Sequence, residues 1–319
     1  MSRIAVIGAG PVGAIIASEL LRRGHQVCLI SERWPGDGIT GDFAAGIGCI
    51  FKPSSALVGK MVLDSYPEWM VQARDTSCDY VQLTRISVVV PPDSPDPVWK
   101  DNVEDFRRDS NTQLSYLTYS FAPVAMGRAK ISQFVAMGGV TNSRPITSVE
   151  VSSLRQGRSL EGFSYTVATM GLELRAILPR MNLFPVRGVL VHFFNRLPRD
   201  SSFMDENAVC YAVSRPGGCV IGSTFDEYVG TCSPEEQLII GQQIVNEANR
   251  RFSLTFDFAN RERVTVGYRP ATEGNPIIDI GDELAVVNGM GGQGWVIGHS
   301  LVSVHRPDRL FLSAGLACG

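Results

Sequence analysis

The stretch from Arg3 to Arg33 constrains this chain more than any other. Arg3 to Ile7 read as a short apolar strand that runs straight into Gly8-Ala9-Gly10-Pro11-Val12-Gly13, after which Ala14 to Arg23 carry the apolar spacing of an amphipathic helix. Strand, glycine turn and helix in that order form the opening of a dinucleotide-binding unit. The first glycine permits the tight turn, the second lets the backbone approach a pyrophosphate, and the third lets helix pack on strand. Free N–H groups at the helix start attract the negative charge. Gly24-His25 ends the helix and Gln26 to Ser31 form a second apolar strand. Glu32 follows about 20 residues past the glycines, where a carboxylate would hold ribose hydroxyls. The alternative is a glycine-rich turn without ligand, and the frame of flanking elements argues against it.

A chain of 319 residues with 44% hydrophobic composition can bury a substantial core, and a prior of roughly 150 residues per domain suggests two domains. Its 29 basic and 32 acidic residues are interspersed, for a net charge of -3, so no broad basic surface for nucleic acid is expected. A small neutral or anionic ligand is more natural. The seven cysteines (28, 49, 78, 210, 219, 232, 318) include no C-x-x-C pair and no metal spacing. Their odd number argues against a fully paired disulfide framework and favours buried thiols in a reducing compartment. Arg3 followed by Ile4 to Ala17 has the outline of a signal-peptide core, but its glycines sit where a nucleotide fold needs them. No later run reaches the roughly 20 apolar residues of a membrane span, and Leu316-Ala317-Cys318-Gly319 matches no address signal. A soluble cytoplasmic protein is expected, without nucleic-acid or membrane partners and with a homodimer left open.

Further along, Arg33 to Gly38 is turn-rich, and Ile39 to Gly48 supplies a second cluster of small residues that could lie flat against a planar ligand or form an ordinary loop. Ser54 to Gln72 looks helical, Tyr80 to Val90 reads as a strand, and the proline run 91–97 stops it. Leu114 to Ala122 is another strand, Lys130 to Met137 a helix, and Val140 to Val151 a strand in two pieces around Pro145. Phe163 to Thr169, Leu183 to Phe194, Ala208 to Val213 and Gly218 to Thr224 follow as strands. Their alternation in the middle region suggests a largely antiparallel sheet. Ser233-Pro234-Glu235-Glu236 is a cap, a proline and two acids, opening a helix to about Arg251. Val264 to Arg269 makes a strand before Pro270, and Leu284 to Asn288 runs into Gly289-Met290-Gly291-Gly292-Gln293-Gly294-Trp295 and a last helix, a second glycine turn like the first.

Five pieces of the chain together resemble the D-amino-acid oxidase family. Besides the opening fingerprint, Asp42-Phe43-Ala44-Ala45-Gly46 looks like its flavin-contacting segment, Pro95 to Asp101 with Phe106-Arg107 resembles a stretch of the animal enzymes, Gly267-Tyr268-Arg269-Pro270 is similar to its substrate-arginine motif, and Gly289 to Gly294 matches the segment beside the flavin ring. The resemblance implies an α/β (α+β overall) fold of two interleaved domains. A Rossmann-like FAD-binding domain would take 1–50, 127–182 and 264–319, and a substrate domain on a largely antiparallel sheet 51–126 and 183–263. It implies FAD as cofactor and hydride transfer from Cα of a D-amino acid to flavin N5. The products would be an imino acid, hydrolysed to a 2-oxo acid and ammonia, and hydrogen peroxide from dioxygen.

Carried over one at a time, Arg269 falls on the arginine that grips the substrate carboxylate, a role suited to a planar guanidinium; a strand-end salt bridge is its alternative. Tyr211, counted back from Gly222, falls on a tyrosine that bonds the same carboxylate, although a strand tyrosine is usually core. Gly292 falls on the glycine whose carbonyl accepts from the substrate amine. The positions carried over for FAD are Gly8, Gly10, Gly13, Glu32, Arg33, Thr40, Ala45, Gly46, Ile47, Ile146, Gly291, Gly294 and Trp295. The chain departs from the family's pattern at Asn207, Met290, Gln293 and Cys49. Those changes leave open an FAD-dependent oxidase of a secondary amine, a glycine derivative or a biosynthetic intermediate, or a catalytically silent flavin-binding protein. His192 and His299 read as structural.

Overall fold

The structure is a computed structural model that describes residues 2–48, 55–195, 197, 201–207, 209–222, 226–227, 232–291 and 294–303. Its elements run β1 (Arg3–Ile7), α1 (Pro11–Arg22), β2 (Gln26–Ser31), α2 (Ala56–Arg74), β3 (Val81–Val89), β4 (Glu104–Ser110), β5 (Gln113–Phe121), α3 (Pro123–Ala136), β6 (Val140–Ser143), α4 (Ser148–Arg155), β7 (Tyr165–Ala168) and α5 (Leu174–Ile177). The chain continues through β8 (Phe184–Phe193), β9 (Ser201–Asp205), β10 (Tyr211–Arg215), β11 (Gly218–Gly222), β12 (Asp226–Glu227), α6 (Pro234–Phe252), β13 (Arg263–Ala271), β14 (Ile277–Ile280), β15 (Leu284–Asn288) and α7 (Gly294–Ser303). Two compact units result, each assembled from separate stretches: Met1–Asp42, Val124–Pro185 and Arg269–Gly319 form one, Phe43–Pro123 and Val186–Tyr268 the other.

The first unit is built on a sheet of order β14-β15-β7-β1-β2-β6. Every pairing in it is parallel except the antiparallel β14 at one edge. Strands β1 and β7 are almost wholly apolar because both of their faces are covered. On one face Ala5, Ile7, Ile30, Ala168 and Val286 pack against Leu154, Leu174 and Leu178. Helix α1 lies against β1 and β2, and α7 lies against α1. Ile4 and Val6 are fully buried, each contributing roughly 1.5 to 3 kcal/mol of burial, which makes β1 the centre of this core.

The second unit carries a sheet of order β12-β8-β11-β10-β9-β3-β5-β4, with β13 also paired to β8. Along that order the pairings are antiparallel apart from the parallel β3–β9 pair. Helix α6 begins as the sequence indicates, with Ser233 Oγ accepting from the Glu236 N–H. It buries Ile244, Val245, Ala248 and Phe252 against Val189, Val191, Ala212 and Ile221. Helix α2 sets Trp69 over Tyr119 and Phe121, at ring separations of 5.5 and 6.1 Å.

Several elements differ from the sequence reading. The second half of 140–151 is not a strand but α4, because Thr147 and Glu150 close a reciprocal capping box at its start. Helix α3 starts at Pro123, seven residues before the expected Lys130. Pro270 does not end β13. A proline keeps its carbonyl while lacking a donor, and that carbonyl accepts from the Gly291 N–H at 2.9 Å while Ala271 bridges Met290. Strand β9 carries no apolar alternation because Ser202 and Asp205 are buried beside Met204: Ser202 Oγ is satisfied by Thr84 Oγ1 and the Ser214 N–H.

Candidate functional site

The opening glycine turn divides its labour among three glycines. Gly8 has φ +105°, and a Cβ there would come within 2.6 Å of the Thr169 carbonyl oxygen. At Gly13 a Cβ would lie 1.9 Å from the Gly8 carbonyl oxygen, so α1 packs on the turn only because that atom is missing. Gly10, the residue before α1, has nothing within 4 Å of the same position. The open space at the head of a helix with free N–H groups suits a pyrophosphate.

Hydroxyl groups from the neighbouring strands lock the turn. The Gly8 N–H donates to the Ile30 carbonyl at 2.8 Å and the Ala9 N–H to Ser31 Oγ at 3.2 Å. Thr169 Oγ1 donates to the carbonyls of Ile7 and Gly8 at 2.8 and 3.1 Å. Neither Ser31 nor Thr169 stood out in the sequence. A small hydroxyl residue at or just past the carboxyl end of each strand flanking β1 is the signal that finds them. Glu32 and Arg33 are exposed beyond the end of β2.

Of the other positions carried over for the cofactor in this unit, Thr40 and Trp295 meet beside the head of α1. Thr40 and Gly41 lie in a short helical turn, Thr40–Phe43. A Cβ on Gly41 would meet Pro11 Cδ at 2.7 Å, and the Gly41 carbonyl accepts from Trp295 Nε1 at 3.3 Å. Asp42 takes the N–H groups of Gly36, Gly38 and Ile39. Burial pushes its carboxyl above the ordinary range, against the pull of those three bonds. Ile146 packs at the margin of the core.

At the second glycine turn Met290 is buried and Gly291 has φ +53°, with nothing within 4 Å of its Cβ position. The turn is held to the strand carrying Arg269 by the Gly291–Pro270 bond and the Ala271–Met290 bridge. Asn288 precedes it, with Nδ2 donating to the Gly171 carbonyl and Oδ1 accepting from the Gly289 N–H. Arg269 itself is half-buried. Gly292, Gln293 and Cys49 lie outside the described residues, as does the side chain of His299.

In the second unit Ala45, Gly46 and Ile47 run beside β5. The Gly46 carbonyl accepts from the Phe121 N–H at 2.7 Å and Ile47 bridges Ser120. Tyr211 opens β10, is 8% exposed and pairs with Gly222. A Cβ on Gly222 would meet the Tyr211 ring at 2.5 Å, so the ring has room only because a glycine faces it. Just before Tyr211 the chain is knotted by Asp205, whose buried carboxylate takes the N–H groups of Asn207, Val209 and Cys210 and an ion pair from Arg251 at 2.9 Å. His192 is buried between Thr265 Oγ1 and Arg215 Nη2, each at 2.8 Å. Burial first, then the charges of Arg215 and Arg263, bring its pKa down to about 3. It is a neutral structural ring.

Among the described residues no cluster of His, Cys, Asp and Glu could hold a metal ion, and no helix is long and apolar enough to cross a membrane. The described cysteines, Cys28, Cys78, Cys210, Cys219 and Cys232, carry free thiols.

A sequence model described as DAO, FAD dependent oxidoreductase, matches residues 3–120 and 120–301. Among solved structures, glycine oxidase from Bacillus cereus ATCC 14579 is similar with a TM-score of 0.70 and 15% identity, over 100% of this chain and 99% of that one. Iminodiacetate oxidase from Chelativorans sp. BNC1 is similar with a TM-score of 0.68 and 18% identity, over 98% and 95%. For L-proline dehydrogenase from P. horikoshii the values are 0.69 and 17%, over 99% and 92%.

Proposed function

The chain belongs to the family of FAD-dependent oxidoreductases, and on that premise we propose that it oxidises a D-amino acid at its α-carbon. The substrate loses a hydride from Cα and a proton from nitrogen. The imino acid takes up water to give a 2-oxo acid and ammonia, and dioxygen, as final acceptor, becomes hydrogen peroxide. FAD, when bound, supplies the two-electron acceptor that no side chain can provide.

The chain's own residues bind and orient. The N–H groups at the start of α1, beside the open face of Gly10, hold the pyrophosphate, and Glu32 takes the ribose hydroxyls. Gly13, Arg33, Thr40, Ala45, Gly46, Ile47, Ile146, Gly291, Gly294 and Trp295 complete the cofactor's surroundings. Arg269 takes the substrate carboxylate through two parallel charge-assisted bonds, and the Tyr211 hydroxyl donates to the same group. The Gly292 carbonyl accepts from the amine. Fixing carboxylate and amine together aims the α-hydrogen, so these residues act by orientation.

One observation carries this reading. The residues after Arg269 are tied to the second glycine turn through Pro270–Gly291 and Ala271–Met290, so the arginine is built into the same corner as a turn that can approach a flat ligand.

A second reading, oxidation of a glycine derivative or other secondary amine, draws support from the fold shared with iminodiacetate oxidase and glycine oxidase. Both readings keep the carboxylate handle. An anaerobic flavin-reduction screen across D- and L-amino acids, glycine and N-methyl amines decides between them. Bleaching by the D-enantiomer of an α-substituted amino acid and not by its L-enantiomer supports the first, and bleaching only by N-substituted glycines supports the second. A yellow protein that no amine reduces would leave a flavin-binding protein without this chemistry.

A further inference from the structure

Arg33 and Glu173 stand 140 residues apart in sequence and form an ion pair, Arg33 Nη2 to Glu173 Oε1. Their places in the fold give the pair a direction. Arg33 follows β2, and Glu173 ends the short turn Gly171–Glu173 that follows β7. In the sheet β1 lies between β7 and β2 and is parallel to both. The pair therefore reaches from one side of β1 to the other at the carboxyl ends of the strands, where the opening glycine turn lies.

Both ends of this bridge are fixed to the scaffold. The Gly171 carbonyl accepts from Asn288 Nδ2 at 2.9 Å. Ser31 Oγ donates to the Arg33 carbonyl at 2.7 Å and accepts from the Ala9 N–H of the glycine turn. Glu32, the ribose carboxylate of the proposed site, is the neighbour of Arg33. An ion pair as exposed as this one, with side chains 51% and 55% accessible, does little for the fold by itself. Its position suggests a different use.

We propose that Glu173 is a cofactor-retaining residue: it holds the Arg33 guanidinium across the adenosine half of bound FAD and slows the departure of the cofactor. A guanidinium fixed face-on to a flat base gains stacking and cation–π attraction. A free arginine would lose that gain to the freedom of its side chain. The bridge also covers one side of the adenosine from water. The inference rests on the FAD-binding reading of the glycine turn and adds a residue on a different strand.

The test uses flavin-free protein titrated with FAD, following quenching of flavin fluorescence, and with ADP as competitor, which carries the adenosine and both phosphates without the isoalloxazine. Glu173→Gln keeps the size of the side chain and removes its charge. It is expected to weaken FAD and ADP by the same factor, about tenfold or about 1.4 kcal/mol, to speed FAD dissociation, and to leave the unfolding temperature of the flavin-free protein unchanged. Added salt should weaken FAD binding more in the wild type than in the variant. Equal FAD affinity in the two proteins would overturn the proposal, as would a loss for FAD that ADP does not share. A wild type that takes up FAD while Glu173→Gln is without effect sinks the clasp alone. A wild type that takes up no FAD sinks the cofactor site and the clasp together.

Discussion

Around β1 the groups that would face a ligand are main-chain ones: N–H groups at the head of α1, the bare backbone at Gly10, and a second turn held by the Gly291–Pro270 bond. In the other unit the local structure is held by side chains. Asp205 knots the residues before Tyr211, Gly222 clears room for the Tyr211 ring, and His192 sits between Thr265 and Arg215. Backbone groups carry no information about which small molecule is bound, and they suit a cofactor common to many enzymes. Side chains can be exchanged one at a time, which suits selection of a substrate. On this view changes in the first unit should alter flavin uptake, and changes at the substrate-facing side chains should alter turnover while the flavin stays.

Arg269 puts that division to its hardest test, because β13 passes from one unit into the other at this residue. Arg269→Ala is expected to lower kcat/KM by about 3 to 5 kcal/mol, the scale for removing one partner of a desolvated charge pair. The flavin-to-protein ratio should not change. Arg269→Lys keeps the charge and loses the fork, so it should recover only part of the loss. Loss of flavin along with turnover in Arg269→Ala would erase the proposed boundary between the two kinds of site.

Two glycines sharpen the comparison from the other side. Gly13→Ala places a Cβ 1.9 Å from the Gly8 carbonyl oxygen, and overpacking against backbone should cost about 3 kcal/mol or more. Both the thermal midpoint and the flavin content should fall. Gly10→Ala meets nothing within 4 Å and should change the stability of the flavin-free protein by about 1 kcal/mol or less. Its new methyl group nevertheless occupies the face offered to the pyrophosphate, so FAD affinity should fall about 100-fold, about 2.7 kcal/mol. Calorimetry on flavin-free protein together with FAD titration separates a glycine needed for packing from one needed for approach. Equal behaviour of the two variants would mean that the turn is only structural.

The same contrast explains what the amino-acid order revealed. Gly8, Gly10 and Gly13 between an apolar strand and an amphipathic helix encode their turn locally, and α/β layering with a largely antiparallel second sheet could be read from strand periodicity. Ser31 and Thr169 could not, because what matters is that their strands flank β1, a property of sheet order and not of spacing. Strand β9 was invisible because its buried serine is satisfied by partners from β3 and β10. The stretch after Pro145 misled because Val149 and Val151 mimic a strand while Thr147 and Glu150 cap a helix. Tyr211 and Arg269 have no local signature at all; they emerged only through resemblance to a family.

His192 gives the smallest effect and tests the side-chain network directly. In the folded protein its pKa is lowered to about 3, chiefly by burial and then by the charges of Arg215 and Arg263, whereas in the unfolded chain an imidazole titrates near 6.5. As pH falls below that value the unfolded state takes up a proton that the folded state refuses, so the contribution is fully present above about 6.5 and drains away toward about 3. Between pH 7 and 5 the loss attributable to this ring should be about 2 kcal/mol. His192→Gln retains an acceptor for Arg215 and a donor for Thr265 but has no proton to gain. The variant should be somewhat less stable at pH 7, and the gap to the wild type should narrow as the solution is acidified to pH 5. Parallel stability curves for the two proteins over that range would show that His192 takes up its proton in the folded protein at the same pH as in the unfolded chain.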